Sequence, residues 1–136
     1  MIHLVYVSSA TQEMSVEDLN YLLEQSRARN GKQNITGMLL YVGGNYIQVL
    51  EGSEKDVCEI YESILKDSRN KGNIIVEKES IKERDFPTWS MGFQSIENSE
   101  MEGYSRFLVD DMKPADIANN RSAVVELLYL FKKANV

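Results

Sequence analysis

The chain predicts an α+β sandwich of order βαββαββ, with two helices on one face of the sheet and a C-terminal helical cap. Three observations lead there. Short β-rich runs carry period-2 patterning, two segments pair a serine cap with an apolar series at helical spacing, and a glycine-rich turn joins two of the strand-like runs.

Ile2-His3-Leu4-Val5-Tyr6-Val7 opens the chain, with Ile2, Leu4 and Tyr6 on one face and His3, Val5 and Val7 on the other. Both faces are mostly apolar, so this reads as a central strand. Ser15-Val16-Glu17-Asp18 is an N-cap with an acidic first turn, and Val16, Leu19, Leu22, Leu23 and Ser26 follow at helical spacing towards a stop near Asn30-Gly31. Thr36 to Val42 and Tyr46 to Leu50, joined across Gly43-Gly44-Asn45, form a hairpin whose turn residues accept positive φ. Ser53-Glu54-Lys55-Asp56 repeats the cap, and Val57, Ile60, Tyr61, Ile64 and Leu65 make an amphipathic helix expected to end near Arg69 to Gly72. Ile74-Ile75-Val76 opens a further strand, and after Pro87 the segment Ser90 to Ile96 supplies a fifth. This order suits an antiparallel or mixed sheet of the ferredoxin-like kind better than a doubly wound parallel one. Beyond Glu100 two helices are expected, one around Tyr104, Phe107 and Leu108, the other carrying Val124, Leu127, Leu128 and Phe131, with Pro114 between them.

Composition narrows the function. The 136 residues are 43% hydrophobic and 26% charged, ordinary for one globular domain that builds a core without metals or disulfides. A formal charge of −6 argues against a nucleic-acid partner, which would need clustered Lys and Arg. No run of 18 apolar residues and no leader-like segment follows Met1, so the cytoplasm is the expected compartment and no membrane partner is expected. One cysteine, Cys58, and one histidine, His3, supply neither an internal disulfide nor a His-rich metal site, and the expectation is no metal. No G-x-G-x-x-G pattern is present, which removes a Rossmann dinucleotide site.

The misfit is Gln48, a primary amide in the otherwise apolar run Tyr46-Ile47-Gln48-Val49-Leu50. Buried, it would cost free energy unless a ligand or side chain hydrogen-bonded it; on an edge strand it would simply face water. With the first and third strands as central neighbours, Tyr6 and Gln48 fall close together on the helix-covered face. Tyr6 is otherwise a core tyrosine with its hydroxyl on a backbone carbonyl. Asn30 is a helix C-cap or turn asparagine, or an amide for a ligand at the helix end. Asp67, Arg69 and Asn70 make either a solvated helix terminus or a cluster in which Arg69 pairs with a phosphate. Trp89-Ser90-Met91 reads as core filling in a strand. Leu22 and Ile64 are core residues that could also sandwich a flat ligand sliding between the helices.

In combination these segments resemble a known family. The motifs are Leu4-Val5-Tyr6-Val7-Ser8, Asn34-Ile35-Thr36-Gly37-Met38-Leu39-Leu40-Tyr41, Tyr46-Ile47-Gln48-Val49-Leu50-Glu51-Gly52, Asp67-x-Arg69 and Phe86-x-x-Trp89-Ser90-Met91. The chain is similar, from about Ile2 to Ile96 and into the helical cap, to the BLUF domain, a blue-light sensor that uses flavin adenine dinucleotide (FAD). The resemblance implies non-covalent FAD binding, with Tyr6 as light-driven electron and proton donor and Gln48 as the amide relay to the flavin. It makes Asn30 a partner of the flavin carbonyl edge, Ser26 a supporting group, and Leu22 and Ile64 the residues flanking the ring. Arg29, Asp67, Arg69 and Asn70 line the ribityl and phosphate end, and Met91 and Trp89 belong to the strand that reports the change. Arg29 and Asn70 stand where the family often has other residues.

The expected organisation is a sensor domain over 1–97 and a helical extension over 98–136 packing on it. About 40 residues after Ile96 are too few for a separate enzyme, so the output is expected to be contact with a downstream protein, and a homodimer or higher homo-oligomer is expected as well. Two other functions fit the residues alone: a small flavin oxidoreductase, and a chromophore-free regulatory interaction module.

Overall fold

The structure is a computed structural model that describes residues 1–87 and 91–95. Its elements run β1 (Ile2–Ala10), α1 (Val16–Lys32), β2 (Thr36–Val42), β3 (Asn45–Gly52), α2 (Glu54–Leu65), β4 (Asn70–Ser80) and β5 (Gly92–Ser95). That is the expected βαββαββ order. The strands form one mixed sheet in the order β4-β1-β3-β2-β5, antiparallel except where β5 runs parallel to β2. The helices expected beyond Glu100, and Trp89 and Ser90, lie outside the described residues.

Both helices start as the sequence requires. Ser15 Oγ accepts from Asp18 N at 3.1 Å while Ser15 N donates to Asp18 Oδ2 at 3.1 Å, a reciprocal capping box. Ser53 caps α2 through Asp56 N in the same position, at 3.2 Å. The ends differ from expectation. α1 runs past Asn30-Gly31 to Lys32, with Gln33 as its cap and the left-handed residue at Asn34 (φ 54°), so Asn30 is not a cap but a fully buried residue of the last turn. α2 stops at Leu65, earlier than Arg69. Asp67 Oδ1 accepts from Arg69 N at 3.0 Å, and Asn70 Nδ2 donates to the carbonyls of Ile64 and Asp67 at 2.9 and 2.8 Å. The Asn70 bonds satisfy carbonyls left at the helix end, and the Asp67 bond turns the backbone into β4.

One continuous core lies between the helices and the sheet. Ile2, Leu4 and Tyr6 of β1, Leu39 and Tyr41 of β2, and Tyr46 and Leu50 of β3 meet Leu19 and Leu23 of α1 and Val57, Ile60, Tyr61 and Ile64 of α2. Burying each such aliphatic side chain is worth about 1.5–3 kcal/mol, which is why helical spacing alone placed these residues inward. Val16 and Leu65, at the ends of their helices, are 40% and 50% exposed and do not belong to the apolar faces to which spacing assigned them.

The hairpin turns on Gly43 (φ 57°) and Gly44 (φ 80°), a primed geometry that pairs Leu39 with Gln48. Within β2, Gly37 lies so close to β3 that an added Cβ would stand 1.8 Å from the Val49 carbonyl oxygen. Neither backbone can yield without breaking the ladder. Gly37→Ala is therefore expected to destabilise the fold by about 3 kcal/mol or more, measured as a lower midpoint in urea unfolding. On the other face, the fully buried Glu51 carboxylate accepts from Thr36 Oγ1 (2.9 Å), Asp85 N (2.6 Å) and Phe86 N (3.0 Å), which fastens the connection leading from β4 towards Met91.

Candidate functional site

β1 and β3 are interior neighbours, and their antiparallel register sets Tyr6 directly against Gln48. Gln48 is 3% exposed and Tyr6 4%, so the amide does not face water from an edge strand. The Tyr6 hydroxyl donates to Gln48 Oε1 in a short hydrogen bond, and Gln48 Nε2 donates to Met91 Sδ at 3.4 Å. The alternative partner for Tyr6, a backbone carbonyl, is not the one it uses. Burial pushes the Tyr6 phenol above the ordinary tyrosine range, an effect the Arg29 guanidinium opposes. It is therefore a neutral hydroxyl, able to donate.

This pair lies on the floor of a cleft that opens between the two helices and encloses about 480 Å³ of empty space, its mouth included. Leu22 from α1 and Ile64 from α2 both line it, with Ser26 and Arg29 on the α1 side and Asp67, Arg69 and Asn70 on the side where α2 gives way to β4. Apolar walls flanking a few polar groups suit a flat organic ligand. Asp67 and Arg69 form a forked pair, with Arg69 Nε 2.9 and 3.1 Å from the two carboxylate oxygens. That bonding holds the carboxyl below its usual range and raises the guanidinium. Arg69 Nη1 also donates to Gln25 Oε1 at 2.9 Å, bridging the rim.

Two polar groups on the lining are unspent. Arg29 Nε and the Tyr46 hydroxyl are buried, and neither makes a hydrogen bond among the described residues. Burial lowers the Arg29 guanidinium from its ordinary value and raises the Tyr46 phenol. Buried donors without acceptors cost about 1–3 kcal/mol each, so a cleft carrying two of them fits a ligand with acceptor oxygens.

Of the residues named from the sequence, Tyr6, Leu22, Ser26, Arg29, Gln48, Ile64, Asp67, Arg69 and Asn70 line this cleft. Asn30 does not; it is buried beneath the end of α1, where its carbonyl accepts from Gln33 N and Ile35 N. Met91 reaches the site through Gln48 rather than through the lining, and its carbonyl accepts from Arg27 Nε at 3.0 Å. Trp89 lies outside the described residues. Sequence reasoning missed Gln25, Leu39 and Tyr46. Tyr46 shares the Gln48 face by period 2, and Leu39 sits opposite Gln48 in the register the Gly43-Gly44 turn dictates, so both were within reach. Gln25, exposed on the rim, carried no signal.

An α+β sandwich with a cleft between its helices, and a phenol hydrogen-bonded to an amide at the cleft floor, sets the chain in the ferredoxin-like class. The chain belongs to the BLUF family, described as sensors of blue light using FAD, whose sequence model matches residues 1–92. Among curated proteins it is 42% identical over 84 residues to photoactivated adenylate cyclase subunit alpha of Euglena gracilis, covering 62% of this chain and 8% of that one. It is 37% identical over 89 residues to photoactivated adenylate cyclase subunit beta of Euglena longa, 65% of this chain and 10% of that one. The chain thus spans about a tenth of the length of these relatives. Among solved structures, BlrB, a BLUF protein in its dark state, superposes with a TM-score of 0.72 at 28% identity, over 98% of this chain and 94% of that one. A bacterial light-regulated adenylyl cyclase superposes with a TM-score of 0.71 at 26% identity, over 98% of this chain and 35% of that one. Among the described residues no helix is long and apolar enough to cross a membrane.

Proposed function

We propose that this chain is a blue-light photoreceptor that holds FAD non-covalently in the cleft between α1 and α2 and switches by rearranging the Tyr6–Gln48 hydrogen bond. The observation that carries the reading is that bond, buried at the floor of a cleft whose Arg29 Nε and Tyr46 hydroxyl await acceptors. When bound, the flavin supplies visible absorption and an electron acceptor. Everything else is done by this chain. Leu22 and Ile64 flank the ring, Ser26 supports its polar edge, and Arg29 and Arg69, the latter held by Asp67, serve the ribityl and phosphate end beside Asn70.

The switch follows from the amide's two ends. In the present arrangement the Gln48 oxygen is taken by Tyr6 and one N–H by Met91 Sδ, leaving the second N–H for an acceptor in the cleft. With a flavin in the cleft as the acceptor, Tyr6 would give up an electron and a proton on illumination, the proton by way of Gln48, and would take both back, leaving the amide rotated, tautomerised or both. Gln48 would then present a stronger donor to a flavin carbonyl held in the cleft, which would move the absorption slightly to the red with the flavin still oxidised. Because Gln48 also bonds Met91, the change reaches the segment that carries Trp89 and Met91.

The reading includes no enzymatic activity and a cytoplasmic location. An absorption spectrum of the purified protein before and after blue light tests it. A reversible small red shift is the expected result; a colourless protein would favour a chromophore-free interaction module, and lasting bleaching with a reductant a flavin oxidoreductase. Output is proposed to run through the extension over 98–136, which would contact a downstream protein or a second copy with different affinity in dark and light. A differential of about 1–3 kcal/mol suffices to change such an association from several-fold to over a hundredfold. A chain ending near Asn98 is expected to keep flavin and the red shift but to lose light-dependent association in size-exclusion and pull-down comparisons. Unchanged association of that shortened chain would place the output elsewhere.

A further inference from the structure

On the sheet face opposite the cleft, three side chains from two strands converge. Alternation along β1 turns His3 away from the side that carries Tyr6. Its register partner on β4 is Glu79, and Glu77 stands two residues along on the same face. His3 is 6% exposed, and among the described residues neither its Nδ1 nor its Nε2 makes a hydrogen bond. The buried Oε2 of Glu77 makes none either, although it lies 3.3 Å from His3 Nε2. One ligand atom from each of His3, Glu77 and Glu79 falls within 4.8 Å of the others.

A buried imidazole and a buried carboxylate oxygen this close, yet not aligned to bond one another, sit as two ligands of one ion do. Atoms about 2.0–2.1 Å from a tetrahedral centre are about 3.3–3.4 Å apart. An imidazole with two carboxylates is a borderline donor set that suits a divalent transition ion, whereas Ca²⁺ takes oxygen alone. Glu79, which is exposed, leaves the remaining coordination to water.

We propose that His3, Glu77 and Glu79 form a site for a divalent transition-metal ion of the Zn²⁺ class, clamping β4, the edge strand, to the interior strand β1. Composition alone hid it, because the carboxylates come from β4, distant in sequence, and only the register brings them to the lone histidine. The ion replaces the missing partners of two buried groups, and it binds on the face away from the cleft, so the site does not depend on the flavin reading.

The test is titration of the chelator-treated full chain with Zn²⁺ by calorimetry. One ion per chain is expected, with affinity reduced at least tenfold in both His3→Gln and Glu79→Gln and unchanged in Cys58→Ser. Saturating Zn²⁺ should raise the unfolding temperature of the unaltered chain and not of Glu79→Gln. Glu79 is exposed, so its variant decides the matter even where His3→Gln does not fold. Equal Zn²⁺ affinity in the unaltered and Glu79→Gln proteins, or loss of binding in Cys58→Ser, would overturn the assignment.

Discussion

Replacing Gln48 with leucine is expected to leave a protein that binds flavin and no longer shifts its spectrum under blue light. The side chain is buried beside Leu39 and Met91, so an aliphatic group of similar length fills the space, and the cleft walls at Leu22 and Ile64 are untouched. What disappears is the acceptor for the Tyr6 hydroxyl and the donors for Met91 Sδ and the cleft. The stranded Tyr6 hydroxyl costs about 1–3 kcal/mol, so a lower unfolding temperature should accompany the lost red shift. Tyr6→Phe removes the other half of the pair, should also load flavin, and should lose the normal photocycle because the phenol is the donor. A full-amplitude shift in either variant would show that its residue is not part of the switch.

Ile64→Glu is expected to abolish flavin loading. Ile64 is 7% exposed and lines the cleft with Leu22, so a carboxylate there would stand desolvated against the ring face, and the Arg69 guanidinium of the same lining is already paired with Asp67. A loss of about 3 kcal/mol in binding free energy already weakens affinity by more than a hundredfold, enough to purify the protein without colour. The measurement is flavin absorbance per folded chain, with circular dichroism reporting the fold. Normal flavin content in folded Ile64→Glu would place the ligand outside the cleft between α1 and α2.

What the sequence disclosed depended on whether a short-range rule governed it. The serine caps, the Gly43-Gly44 turn and the apolar series Val57, Ile60, Tyr61 and Ile64 are local signals, and each element they mark is present. The end of α2 was misplaced because the Asn70 side-chain amide caps it and the Asp67 carboxylate, accepting from Arg69 N, turns the backbone beyond it, preferences that helical periodicity does not encode. Gln48 was conspicuous as a lone amide among apolar neighbours. Its partner Tyr6 became visible only through the expectation that the first and third strands adjoin, which the register fulfils residue for residue. In the sequence Asn30 reads as a helix cap or turn residue, or as an amide for a ligand; the helix continues past it and buries it, so it is not the cap. The β4 strand was recognised from Ile74-Ile75-Val76 but extends from Asn70 to Ser80, and those three apolar residues are 45–62% exposed at the sheet edge. Their apolar character marked the strand and said nothing of its position in the sheet, which is set by contacts distant in sequence. The same dependence on register kept Glu77 and Glu79 from being associated with His3.

The central claim, that Gln48 presents a stronger donor to the flavin C4 carbonyl after illumination, is tested most directly by the light-minus-dark infrared difference spectrum of the purified protein. A downshift of the C4 carbonyl stretch that reverses in the dark and is absent from Gln48→Leu is the expected result. A carbonyl band unmoved by light, or one that moves equally in Gln48→Leu, would contradict it.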